Sequence, residues 1–337
     1  MSVSLICFLV LFLAAASPQD EQLRAGLLAL QRGDLAVAQT TLETASRLAP
    51  RDGRIWIALA QAYWRLHRTG DAEEAAAKAA AVAPEDPPVL QGLSIYYSET
   101  DQGLKAAQAA ARYAEKVPER TEARERAIGL YFDAAQPLLK QQKFADAVGI
   151  LEEATARLPG SAQLELALGV ACYGLRRFDD AADAFLRTIG IAPETEQPYE
   201  FLGRILDQIP TRLPQVTQRF AEYEARHPGS AQGYLRHAKA LDAQSINPEA
   251  ALRLIRKSIG IDSHEASAHF ELGTVLDRLQ HFEEAAEAFE RAAEIDPNDA
   301  KVHYRLARDY DRTGKRDAAR SEREKHARLI AAQEAVR

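Results

Sequence analysis

The stretch His264-Glu265-Ala266-Ser267-Ala268-His269 comes nearest to a catalytic motif in this sequence. Two histidines four residues apart on one helical turn, with a glutamate after the first, would hold a zinc ion and a general base on one face. Here the second histidine falls one residue too far, which turns it about 100° away from the first. A metal site needs convergent ligands, so none is expected here. The serines of Gly160-Ser161 and Gly229-Ser230 each follow a proline, in a turn. A nucleophile elbow would need a strand before the serine, so these read as helix caps. No Cys-x-x-Cys pair, phosphate-binding glycine loop or dinucleotide fingerprint occurs, and no cofactor is expected. Beyond the first residues the one cysteine is Cys172, on the apolar face of a helical pattern, where it suits a buried small side chain.

Composition points away from nucleic acid. The net charge is −7, and the arginines of Arg120–Arg126 are interleaved with glutamates as on a solvated helix face. Residues 1–16 stand apart: Leu5 to Ala16 is an unbroken apolar run, and the first charge is Asp20. The run is too short to span a bilayer, which takes about 20 residues. With Ala14 and Ala16 at its exit it predicts a signal peptide cleaved after Ala16. No Lys or Arg precedes the run, and an uncleaved N-terminal anchor is the alternative. Arginine outnumbers lysine and methionine is nearly absent, a composition that suits a GC-rich bacterial source. Export would then mean the periplasm or secretion.

What must position any functional residue is a repeat. Pro50, Pro84, Pro118, Pro159, Pro193, Pro228, Ser263 and Pro297 follow one another at spacings of 34, 34, 41, 34, 35, 35 and 34 residues. Between them apolar residues recur three or four apart, the mark of helices with one buried face. Small residues (Gly26, Ala60, Gly169, Gly273, Ala307) allow two helix backbones to approach, while Leu59, Tyr63, Phe185 and Phe289 fill the space beside them. Gly33-Asp34 and Gly70-Asp71 are read as breaks between the two helices of a unit. Phe178-Asp179-Asp180 and Phe282-Glu283-Glu284 serve elsewhere, with acids in the first helical turn where the macrodipole favours them. Each proline closes its unit, because it cannot continue a helix.

These residues resemble the tetratricopeptide repeat family. The second unit carries Trp56, Leu59, Ala60, Tyr63, Ala72, Ala76, Ala79 and Pro84; the eighth carries Leu272, Gly273, Leu276, Ala285, Phe289, Ala292 and Pro297. The first, third and fifth follow with Gly26, Ala38, Leu42 and Ala45; Leu93, Ser94, Tyr97, Ala106 and Ala110; and Leu168, Gly169, Cys172, Ala181 and Phe185. The resemblance implies an all-α, right-handed solenoid of about nine helix pairs with a C-terminal capping helix. Its units are expected at 19–52, 53–86, 87–120, 121–161, 162–195, 196–230, 231–265, 266–299 and 300–337, making residues 17–337 one domain. Two units depart. The fourth is seven residues longer at Thr121–Ala127, nearly two helical turns, so a longer first helix keeps its face, with Pro137 inside it. The sixth has Pro210 and Pro214 between its helices, and an irregular turn is expected.

The resemblance also implies a non-enzymatic scaffold or adaptor that binds a protein or peptide along its concave face. An accessory module of an envelope enzyme and a self-assembling structural protein are the alternatives, and the oligomeric state is left open. Aligning the units places Ile57, Trp64, Ile95, Phe132, Leu139, Leu166, Tyr173, Arg204, Lys239, Phe270, Arg278, Tyr304 and Arg308 on that face. Leu23, Leu27, Asp242, Asp277 and Arg312 join them. Aromatic and aliphatic anchors lead in the N-terminal half and charges in the C-terminal half. The carboxylate clamp of chaperone-binding members is not matched, because neither Asn247 nor Asn298 falls on a first helix.

Overall fold

In the computed structural model, which describes residues 17–245 and 247–335, each unit folds as two helices joined by a short turn. The expected signal segment, residues 1–16, lies outside the described residues. The pairs are α1 (Pro18–Arg32) with α2 (Leu35–Leu48), α3 (Gly53–Arg65) with α4 (Thr69–Val82), α5 (Pro87–Glu99) with α6 (Gly103–Lys116), and α7 (Thr121–Lys140) with α8 (Phe144–Arg157). Next come α9 (Ala162–Gly174) and α10 (Phe178–Ile191), α11 (Glu196–Arg204) and α12 (Leu213–Arg226), and α13 (Ala231–Gln244) and α14 (Pro248–Ile261). The last four are α15 (Ala266–Arg278), α16 (Phe282–Ile295), α17 (Ala300–Arg312) and α18 (Arg316–Ala335). No strand occurs among the described residues: the protein is all-α, with nine helix pairs.

The turn inside a unit has one design. In seven units a single residue takes a left-handed backbone with φ between 58° and 81°: Gly33, His67, Asp101, Gln142, Arg176, Gln280 and Gly314. The N–H of the next residue returns to a carbonyl five positions back, as Lys143 does to Leu138 at 2.8 Å and His281 to Leu276 at 3.0 Å. This Schellman geometry satisfies the orphan carbonyls at the end of the first helix. It corrects one expectation. Gly70 is not the break of the second unit but lies inside α4; His67, at φ 59°, makes the turn. The acids do lie in the first turn of α10 and α16, as expected.

The closing prolines act as read from the sequence. The residue before each, such as Ala49, Ala83 and Ala192, takes an extended φ of −136°, −142° and −133° and ends the helix. Ser161 and Ser230 cap the following helices, the Ser230 Oγ accepting from Gly233 N–H at 3.0 Å. A further tie recurs here. Trp56, Tyr199, Tyr234, His269 and His303 each lie six residues after the closing position and reach back to its carbonyl, Trp56 Nε1 donating to Pro50 at 2.8 Å.

The longer fourth unit is a 20-residue α7 with Pro137 in its last turn. In the sixth unit α11 runs only nine residues, and a 3₁₀ turn at Leu206–Gln208 leads to Pro210. The chain divides into two compact units, residues 17–171 and 172–335. Unit 1 packs Leu42, Ile55, Leu59 and the alanines of α4 into one core. Unit 2 packs Leu235, Ile255, Leu276, Phe289 and Leu306 into another. In unit 1 the first helices α1, α3 and α5 touch in succession; in unit 2 α11, α13 and α15 do.

Candidate functional site

The small residues bring each helix pair together. A Cβ on Gly26 would fall 2.5 Å from Leu42, and one on Gly273 would fall 2.7 Å from the Phe289 ring. These contacts fix the rotation of the first helices, and so which side chains stay outside the core.

In unit 1 Trp64, Ile95, Phe132, Leu139 and Leu166 are half-buried, with Trp64 resting on the edge of the core. Ile57 is a correction: it is 6% exposed and packs on Gly92 of α5, so it joins α3 to α5 and is closed to a partner. Leu23 is likewise buried. Tyr97, in register with Tyr63, is half-buried against the core beside Tyr96, with Lys105 of α6 over its ring. Polar anchors hold the ring positions. The Tyr63 hydroxyl donates to Glu43 at 3.0 Å; burial, then this glutamate, raises its pKa to about 12. Tyr131 donates to Glu153 at 2.9 Å and is raised by the same causes.

In unit 2 Tyr173 is half-buried and lies edge-on to Phe178 and Phe201, with centroids at 6.0 and 5.1 Å. Arg204 is exposed and sits over Phe201; Phe270 is half-buried against Phe289. Tyr304 is 49% exposed, flanked by Arg308 and the His326 ring. The charges form ties between successive first helices. Lys239 of α13 meets Glu271 of α15 at 3.1 Å, and Arg278 of α15 pairs with Asp242 of α13. Asp277 of α15 pairs with Arg305 of α17 at 3.5 Å and with Arg312. A cavity of about 420 Å³ opens at this last group, lined by Thr274, Asp277, Arg278, Gln280, Phe282, Arg305 and Arg312.

One residue of that group escaped the sequence reading. Asp309 is fully buried, and Arg312 donates to its Oδ1 at 3.0 Å. The signal was present: in the repeat register Asp309 stands level with Ala62, Tyr96, Ala171, Ile205, Ala240 and Val275, all apolar or aromatic and all buried. Asp309 is a charge at a core position.

Of the zinc-like stretch, His264 is exposed in a turn, Glu265 caps α15, and buried His269 faces the Ser263 carbonyl at 3.1 Å. Among the described residues no three His, Cys, Asp or Glu side chains gather as a metal would require. Cys172 is buried, as its place on an apolar face implied. Asn247 caps α14 and Asn298 lies in an inter-repeat turn, so neither is on a first helix. No described helix is long and apolar enough to cross a membrane.

Paired antiparallel helices at a 34-residue period define an α-solenoid of the helix–turn–helix repeat class. Comparison with known sequences agrees: the family described as tetratricopeptide repeat matches residues 23–88 and 132–195 in one form and 266–299 in another. These segments belong to the tetratricopeptide repeat family. No curated protein matches the sequence. Among solved structures, residues 41 to the end of MamA from Desulfovibrio magneticus RS-1 align at 20% identity and a TM-score of 0.43, over 51% of this chain and 96% of that one. A thermophilic tetratricopeptide repeat protein of Thermus thermophilus aligns at 21% identity and a TM-score of 0.41, over 51% and 99%.

Proposed function

We propose that the protein is a non-enzymatic scaffold that binds a protein or peptide partner along its first-helix faces, and that it works after export to the cell envelope. The observation that carries the binding reading is in unit 1. Trp64, Ile95, Phe132 and Leu139, on α3, α5 and α7, are large and half-exposed where the core has already been filled by alanines and leucines. Folding alone gives no reason to leave such side chains on successive first helices, whereas an interface is dominated by a few aromatic anchors. Export rests on the Leu5–Ala16 run and its small-residue exit.

Crosslinking in the native cell envelope, followed by capture of the full chain, tests this. One partner should be recovered in near-stoichiometric amount, and Phe132→Ala should cut its recovery at least about tenfold, the loss of one anchor of ~1.4 kcal/mol or more. An unchanged melting temperature in Phe132→Ala would show that binding, not folding, was lost. Equal recovery by Phe132→Ala, Trp64→Ala and the parent would place the interface elsewhere.

A further inference from the structure

The buried carboxyl of Asp309 has two oxygens in unlike settings. Oδ1 accepts from Arg312 Nη1 at 3.0 Å, while Oδ2 is buried and meets no donor. The same Arg312 nitrogen serves Asp277 Oδ1, so two carboxylates converge on one guanidinium nitrogen. Asp277 and Asp309 thus face each other across one guanidinium nitrogen, where burial and the neighbouring carboxylate both disfavour a second negative charge. Other charges near α17 are committed. Arg305 reaches Asp277 at 3.5 Å, and Arg278 is held by Asp242. From α16, Glu290 accepts from Tyr310 at 2.6 Å, while the Phe282 ring lies under Arg312. From α18, Glu322 faces His303 and Lys325, and Arg323 pairs with Asp311.

We infer that Asp277 and Asp309 share one proton at the seam between α15 and α17, and that its loss loosens this seam, making it a pH-responsive joint within unit 2. With the proton in place Asp309 donates through Oδ2 to Asp277, and every oxygen of the pair is satisfied. Without it a buried oxygen is left unsatisfied against a second negative charge. Burial first, and Asp277 second, raise the Asp309 pKa from 3.8 to about 6. The folded state therefore holds a proton that the unfolded chain has released. Stability from this pair is full below the unfolded value and is lost as pH rises through the window between those two values. The 420 Å³ cavity beside it carries one more positive charge when the proton is held.

Asp309→Asn is the discriminating variant, because its amide can donate to Asp277 and accept from Arg312 with no proton to lose. Melting temperatures of the full chain and of Asp309→Asn should coincide at about pH 3.5 and part by about 5 °C at about pH 7.5, the variant melting higher. A difference that does not change with pH overturns the inference. Carboxyl carbon NMR of the parent protein gives a second reading that no variant need fold to supply. One aspartate should titrate near about pH 6, and the absence of any carboxyl midpoint between about 5 and 7 overturns the inference equally.

Discussion

His67, Asp101, Gln142, Arg176 and Gln280 hold left-handed backbones with no glycine to ease them. Each does so because the Schellman bond beside it satisfies a helix end, and the chain must reverse within three residues. A side chain in this region costs ~1 kcal/mol or more in the folded state, against which glycine costs extra entropy when unfolded. Gln280 and Gln142 are exposed. Replacing either with glycine should therefore stabilise its unit by roughly 0.5–1 kcal/mol, read as an upward shift in denaturant midpoint with an unchanged slope. Gly33→Ala and Gly314→Ala, at φ 81° and 77°, should shift it downward by a similar amount, about 1 kcal/mol. Tyr63 adds a pH effect. Its folded pKa, raised to about 12 from 10.0, means the phenol stays protonated after the unfolded chain has ionised, so its contribution is intact below pH 10 and fades above it. Tyr63→Phe should flatten that alkaline decline in a melting series.

At the scale of the helix pair, size is matched across the seam. Gly26 faces Leu42 and Gly273 faces Phe289; in the second unit the same register positions hold Ala60 and Ala76. In the glycine units a small residue lies against a large one, and interiors tolerate little change in volume. Gly273→Ala should cost ~1–3 kcal/mol by overpacking against the Phe289 ring, despite the better helix propensity of alanine. Coupling it with Phe289→Leu should recover part of the loss, and a double-mutant cycle showing no coupling would mean the two positions do not define the seam. This matching was legible in the sequence, as were the closing prolines, the serine caps and the long α7, because each depends on local geometry with a fixed spacing. Gly70 misled, since glycine near a turn is a weaker sign than the hydrogen bond that makes the turn. Ile57 misled for a different reason. Its register position faces outward in principle, but glycine at Gly92 on the neighbouring helix lets that helix close over it. The ties among Asp242, Arg278, Asp277, Arg305 and Arg312 were not legible either, because they depend on which long side chains reach across two helices about 10 Å apart.

At the scale of the molecule, α18 packs along α17 and turns a charged face to water. Its 20 residues bury only Ala319 and Glu322 and leave the remaining charges to water, the surface a terminal helix requires. Glu322 is an unusual choice for a buried position, and it has a partner: its Oε2 lies 2.6 Å from Nδ1 of buried His303, whose Nε2 faces the Pro297 carbonyl at 2.9 Å. The His326 ring meets the Ala300 carbonyl at 2.9 Å, so α18 is held to α17 by polar ties as well as by packing. A cavity of about 500 Å³ remains beside these ties, floored by Ala293, Leu306 and Leu329. Removing the residues after Lys315 would leave His303 without its carboxylate and bring Leu306, Ala307 and Tyr310 to the surface together. Contiguous apolar surface of that kind promotes association. The shortened protein is expected to form concentration-dependent oligomers by light scattering, whereas Glu322→Ala, which keeps the helix, should stay monodisperse and lose ~1–3 kcal/mol through the unsatisfied imidazole. A shortened protein with the same size distribution as the full chain at every concentration would show that α17 needs no cover, and the charged face of α18 would then need a reason other than closing the stack.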